Sequence, residues 1–318
     1  MKKVESLHTF TMRSVASHED EGTAFSSPAS VVGVMERAKM TFPGCITAHQ
    51  LARSLDVLLK PKGFCKETTL LTTSFDCDEV CRDLEDELRS AYGQNFSMGG
   101  IGGFPFGGCT AFGAMGHHIP INGQVLIVFG PHVGIDFDGV IGKINRRGHE
   151  GSGHCCNTAH AAMEYVKAVK SGSMIHSPDP SDPIDAQQVF VNSALMEQSD
   201  RLLGATRPEV ELPHIMFDCQ EKLFKRIMDK CLPRDVPKGV KIALLGGILI
   251  NTPEGTPEYF LPKTFTTFDS SGNKDSDLLA ALINEGNKDI QKIILEKRLQ
   301  EKTAKATAGL VEVPIEGL

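Results

Sequence analysis

No apolar run in this sequence approaches the ~20 residues that a membrane-spanning helix needs, because glycine or charge breaks the longest ones. A membrane span is therefore not expected. Basic residues are also short: 33 Lys and Arg against 40 Asp and Glu leave a net charge of −7. A nucleic-acid partner is not expected either, since it would require Lys and Arg concentrated on one face. Nine cysteines in 318 residues are too few for a disulfide scaffold, and the odd number leaves at least one free. That usage reads as a reducing compartment. Residues 1–17 lack a secretory apolar core, and with Lys2, Lys3, Arg13 and one acid, Glu5, they weakly resemble an organelle presequence. The expected location is the cytoplasm or an organelle lumen, and the preferred reading of the terminus is a loose polar segment. Internal repeats are absent.

What is present is an alternation of short buried strands and helices. Residues 68–75, 125–129 and 241–251 are rich in apolar and β-branched residues and read as buried strands. Helical spacing appears in 46–60, 78–92, 155–166, 186–203, 223–231 and 276–305. Residues 171–185 read as a loop, 140–144 as a hairpin arm, and 259–268 as an edge strand interrupted by Pro262. The fold class that follows is α/β, with a mostly parallel central sheet flanked by helices on both faces.

The densest feature is SMGGIGGFPFGGCTAFGAMGHHIP, residues 97–120. Its glycines suggest a phosphate cradle. However, Pro105 occupies the third glycine position of G-x-G-x-x-G, and no Gly-Lys-Ser/Thr follows. The stretch instead reads as a close-packed apolar wall, with Phe104 and Phe106 as candidate pocket residues.

In an open parallel sheet, ligands gather beyond the carboxyl ends of the strands. One such end carries Asp76, Cys77, Asp78, Cys81 and Arg82, another carries His132, and Cys155-Cys156 stand just before a helix. Thiolate, imidazole and thiolate converging from separate strand ends suit a tetrahedral zinc site, with a fourth position left for water or carboxylate. Spacing alone leaves open whether His132 or His118 contributes. Cys45, Cys65, Cys109, Cys219 and Cys231 read as small buried hydrophobes.

Four segments together resemble one family: TLLTTSFDCDEVCRDLEDELRSAYGQNFSMGGIGGFPFGGCTAFGAMGHHIP, VLIVFGPHVGID, GKINRRG and GSGHCCNTA. Phe42-Pro43-Gly44 upstream and GGILINTP with Tyr259-Phe260-Leu261-Pro262 downstream fit as well. The resemblance is to the limiting-CO2-inducible B/C proteins, a divergent branch with a β-carbonic-anhydrase fold. It implies a homodimeric zinc protein, a lyase that interconverts CO2 and bicarbonate through zinc-bound hydroxide. By position, Asp78 and Arg82 match the family's catalytic Asp–Arg pair, and Cys156 matches a ligand cysteine. His132 is placed as the histidine ligand, with His118 as the alternative. Three positions depart from the pattern: Asn157 stands where a glycine is usual, Cys81 where an asparagine is usual, and, most seriously, Asp76 stands where the first ligand cysteine is expected, with Cys77 its neighbour. The metal set is therefore read as Asp76 or Cys77, His132 and Cys156. A non-catalytic dimeric structural or regulatory member with an impaired site is the alternative function. The implied layout is an N-terminal segment (1–35), a zinc domain (36–268) and a helical C-terminal extension (269–318).

Overall fold

The computed structural model describes residues 28–177 and 182–288. In chain order the strands are β1 (Ile46–Thr47), β2 (Thr69–Ser74), β3 (Asn95–Ser97), β4 (Gln124–Phe129), β5 (His132–Gly134), β6 (Lys143–Asn145), β7 (Ser152–His154), β8 (Ile242–Asn251), β9 (Tyr259–Phe268) and β10 (Lys274–Asp277). The helices are α1 (Pro28–Thr41), α2 (Ala48–Leu59), α3 (Arg82–Tyr92), α4 (Gly108–Gly116), α5 (Asn157–Lys170), α6 (Ala186–Met196), α7 (Ser199–Gly204), α8 (Pro208–Asp235) and α9 (Leu279–Gly286).

The main sheet runs β1-β9-β8-β4-β2-β3, with β5 also on β8 and β10 on β9. Strands β3, β2, β4 and β8 are parallel, and β5 continues the parallel pairing along β8. Side chains alternate across a strand, and both faces are buried. Val125, Ile127, Phe129, Ile242 and Leu244 pack with Val34, Phe112, Phe217 and Phe224 of α1, α4 and α8. Leu126, Val128, Ala243 and Leu245 pack with Leu51, Leu55, Leu84, Leu88 and Leu282 of α2, α3 and α9. This double coverage is why these strands read as near-continuous apolar runs.

Several boundaries differ from the sequence reading. β9 is no edge: it is paired by β8 on one side and by β1 and β10 on the other. Pro262 is tolerated because the ladder shifts register between Gly246 and Gly247, leaving the proline at an irregularity where a missing N–H costs least. Helix α8 is far longer than the expected 223–231, running through Pro213 and Pro233. Burial of Leu212, Ile215, Met216, Phe217 and Phe224 along one side holds it together against those breaks. The expected helix at 186–203 is divided into α6 and α7, and 276–305 begins with strand residues of β10 before α9. Its continuation from 289 lies outside the described residues. Helix α1 begins at Pro28, within the stretch expected to be irregular.

Candidate metal centre

Three side chains meet at the carboxyl ends of the parallel strands. Asp76 lies two residues beyond β2, and His132 opens β5 opposite Leu249 of β8. Cys156 is the residue immediately before α5, where the helix N-terminus favours a thiolate. All three are buried, and their donor atoms lie within 4.8 Å of one another. Asp76 Oδ2 is 3.1 Å from His132 Nε2 and 3.1 Å from Cys156 Sγ. Zinc bonds of about 2.0 Å to O or N and about 2.3 Å to S give tetrahedral edges of roughly 3.3–3.6 Å. The two edges from Asp76 Oδ2 are within a few tenths of an ångström of those values and all three donors lie within 4.8 Å, so the set suits a zinc ion with a fourth position left over.

The glycine-rich stretch fixes this arrangement from above. It is not a continuous loop: a short 3₁₀ turn (Ile101–Gly103) and helix α4 lie within it. Gly102, at φ +66°, aims its N–H at Asp76 Oδ2 at 2.8 Å. Its carbonyl accepts a 2.6 Å bond from the buried Gln220 of α8. At Gly103 (φ +80°), a Cβ would stand 2.4 Å from the Gly130 carbonyl oxygen, so only glycine permits the contact. Phe104 does not wall the adjoining cavity; it is buried in the cluster containing Cys156, Ala159 and Met216, with Phe106 packed at its edge.

Of the two adjacent candidates for the first ligand, Asp76 is the one brought in. Cys77 is exposed, and its Sγ lies 3.4 Å from Asp76 Oδ1, outside the donor cluster. His118 is exposed and sits edge-on to Phe96, with ring centroids 5.5 Å apart, so the imidazole at the centre is His132. Cys155 Sγ lies on the other side of that ring, 3.5 Å from Nδ1, and forms a second possible donor group with Asp78 and His132.

The expected Asp78–Arg82 pair is not formed. Asp78 caps a 3₁₀ turn (Glu79–Cys81), accepting from Val80 N–H, and α3 starts only at Arg82. The four-residue spacing is thus not one helical face. Arg82 instead donates to the Asp76 backbone carbonyl and to Glu85. Asp78 is held by Arg146, which follows β6 and makes two bonds of 2.9 and 2.7 Å to its carboxylate while also reaching Glu79. Sequence reasoning misses Arg146 in this role; the run Asn145-Arg146-Arg147-Gly148 is its only local signal.

These contacts set the protonation states. Burial works against charge on Asp76, but His132, the Cys156 thiol and the Gly102 amide outweigh it and hold the carboxyl well below the ordinary range. Partial burial likewise opposes the charged form of Asp78, yet Arg146 holds it down at about 2. Burial pushes the Cys156 thiol up, with His132 opposing. Burial disfavours the His132 imidazolium, and the surrounding thiols of Cys81, Cys155 and Cys156, together with Asp76, more than reverse it.

A cavity of about 170 Å³ adjoins His132, Cys155 and Cys156. Val133, Ile141, Ala159, Met163 and Leu212 make it largely apolar, and Lys143, His154, His160 and Glu209 supply its polar margin. His154 and His160 stack with ring centroids 3.5 Å apart. Among the described residues no helix is long and apolar enough to cross a membrane.

The family profile for the limiting CO2-inducible proteins B/C, β-carbonic anhydrases, matches residues 45–269. The crystal structure of PtLCIB4, a homolog of the limiting CO2-inducible protein LCIB, is 39% identical, with a TM-score of 0.72 over 76% of this chain and 99% of that one. A histidine-to-alanine mutant of PtLCIB4 gives 37% identity and a TM-score of 0.73, over 77% and 98%. The crystal structure of LCIB itself, at 19% identity, has a TM-score of 0.58 over 74% of this chain and 95% of that one, a likeness of fold. No curated protein matches this chain.

Proposed function

The chain belongs to the limiting CO2-inducible protein B/C family of β-carbonic anhydrases, and on that premise we propose that it is a zinc-dependent carbonic anhydrase. The observation that carries the proposal is the buried Asp76, His132 and Cys156 donor set beside a small apolar cavity. Zinc bound there would supply Lewis acidity, bringing the pKa of water down to about 7, as it does in zinc enzymes generally. Asp76, His132 and Cys156 would hold the ion with one position free. The Asp78 carboxylate, lying near His132 and Cys155, would accept a hydrogen bond from the reacting water and orient it. Arg146 bonds both oxygens of Asp78 and keeps it ionised, which would favour its orienting water over its filling the open position. Val133, Ile141, Ala159 and Met163 exclude bulk water from a space suited to CO2. The functional unit would be residues 36–268, acting as a homodimer.

A second reading has an observation of its own. Asp76 Oδ2 already accepts from His132, Cys156 and Gly102, so the cluster can satisfy itself without a metal. That is what a non-catalytic structural or regulatory member would show. Stopped-flow CO2 hydration on zinc-loaded protein, with and without a chelator, separates the two. Activity lost on chelation and recovered with zinc is expected, whereas a folded, zinc-loaded sample that never exceeds the uncatalysed rate contradicts the enzyme reading.

A further inference from the structure

A histidine ligand depends on the group that holds its other nitrogen. His132 presents Nε2 to Asp76, while its Nδ1 lies 2.8 Å from Asn251 Oδ1. Which end of Asn251 faces the ring decides where the proton sits, and heavy-atom positions alone do not distinguish amide oxygen from nitrogen. The surroundings do. The other end of the amide stands 2.7 Å from the Val80 carbonyl oxygen, which can only accept, and 2.7 Å from Glu258 Oε1. That end must therefore be the NH₂ group, and the oxygen must face His132. An oxygen there can only accept, so Nδ1 carries a proton; the proton that Nε2 donates to Asp76 in the metal-free cluster is the one a bound metal would displace, leaving the Nε2 lone pair for the ion.

Nothing in this chain of contacts is loose. Asn251 is fully buried at the end of β8, and Glu258 is buried immediately before β9. The Asn251 backbone carbonyl is also taken, by Ile135 N–H at 2.9 Å. Cys155 Sγ stands farther from the ring, 3.5 Å from Nδ1, and 3.7 Å from Asn251 Oδ1.

We infer that Asn251, anchored by the Val80 carbonyl and Glu258, is the positioning residue that fixes His132 with its proton on Nδ1 and its Nε2 toward the metal centre. The inference rests on the metal-site part of the proposed function and not on turnover. Asn251 touches no reacting atom; it acts through His132. Its loss leaves the imidazole free to rotate or to offer the wrong nitrogen, and outer contacts of this kind change metal affinity by about 10–100-fold.

The test uses the full chain labelled with nitrogen-15 histidine and loaded with cadmium-113. Wild-type protein should show cadmium coupling to Nε2 of His132 and a slowly exchanging proton on Nδ1. Competition against a chromophoric chelator should show Asn251→Leu binding zinc about 10–100-fold more weakly. Asn251→Asp, which keeps an acceptor facing His132 while Glu258 takes up a proton, should regain most of that loss. Coupling through Nδ1, or wild-type affinity in folded Asn251→Leu protein, overturns the inference. If Asn251→Leu does not fold, the coupling pattern of the wild type decides alone. Cadmium bound through Nε2 without CO2 hydration by the zinc form supports Asn251 and overturns the catalytic reading. Failure to bind either metal overturns both.

Discussion

Arg146 is where residue-level chemistry most changes the picture. Its guanidinium, not that of Arg82, grips Asp78. Replacing it (Arg146→Ala) should raise the Asp78 carboxyl from about 2 toward the ordinary value near 3.9. CO2 hydration should fall at least about tenfold without loss of fold. Carboxylate NMR titration of Asp78 and stopped-flow hydration check the two effects, and an unmoved Asp78 would remove Arg146 from its assigned role. Glu258 gives a prediction of opposite sign. Burial, with Asp83 adding to it, lifts its carboxyl to about 7, while an unfolded chain titrates near 4.3. Between those values the folded protein holds a proton that the unfolded chain has released. The stability contribution is thus complete below about pH 4.3 and is lost as pH rises through about 7. Glu258→Gln should flatten that slope and stabilise metal-free protein at pH 8 by up to about 3 kcal/mol. Urea unfolding at pH 5 and pH 8 measures it, and parallel losses in mutant and wild type would contradict it.

At the scale of elements, the glycine-rich stretch acts as a backbone clamp over the end of β2. Ser74 Oγ donates to the Gly103 carbonyl at 3.0 Å, and Gly103 abuts Gly130 at the break between β4 and β5. Gly103→Ala combines a left-handed φ with a contact on rigid backbone, so a loss of about 3 kcal/mol or more is expected. Weaker metal retention should accompany it, because Gly102 N–H would leave Asp76. Thermal unfolding and chelator competition report both, and a neutral substitution would show the clamp to be dispensable.

The elements are legible where one physical signal dominates. β2, β4 and β8 are buried on both faces, so their sequences are dominated by apolar and β-branched residues rather than alternating with charged ones. Helix α2 announces itself through its leucine spacing, and the structure adds a Thr47–Gln50 capping box at its start. Helix α8 reads as shorter than it is because Pro213 and Pro233 look like stops, and only tertiary burial overrides them. The site is legible to the same degree. Asp76, His132 and Cys156 can be named because each stands at a strand or helix end. The Arg146–Asp78 pair and the Asn251–Glu258 anchor depend on segments 68 and 119 residues away from their targets Asp78 and His132, distances that local pattern cannot bridge.

For the whole molecule, the proposed homodimer predicts that light scattering returns twice the 34.5 kDa chain mass; a monomer at micromolar concentration would contradict that proposal. The central claim is that Asp76, His132 and Cys156 hold a zinc ion ready to activate water. X-ray absorption at the zinc edge of loaded protein tests it most directly. One sulfur near 2.3 Å with nitrogen and oxygen neighbours near 2.0 Å is the predicted shell. A shell with two sulfurs, drawing in Cys77 or Cys155 in place of Asp76, or with none, would contradict it.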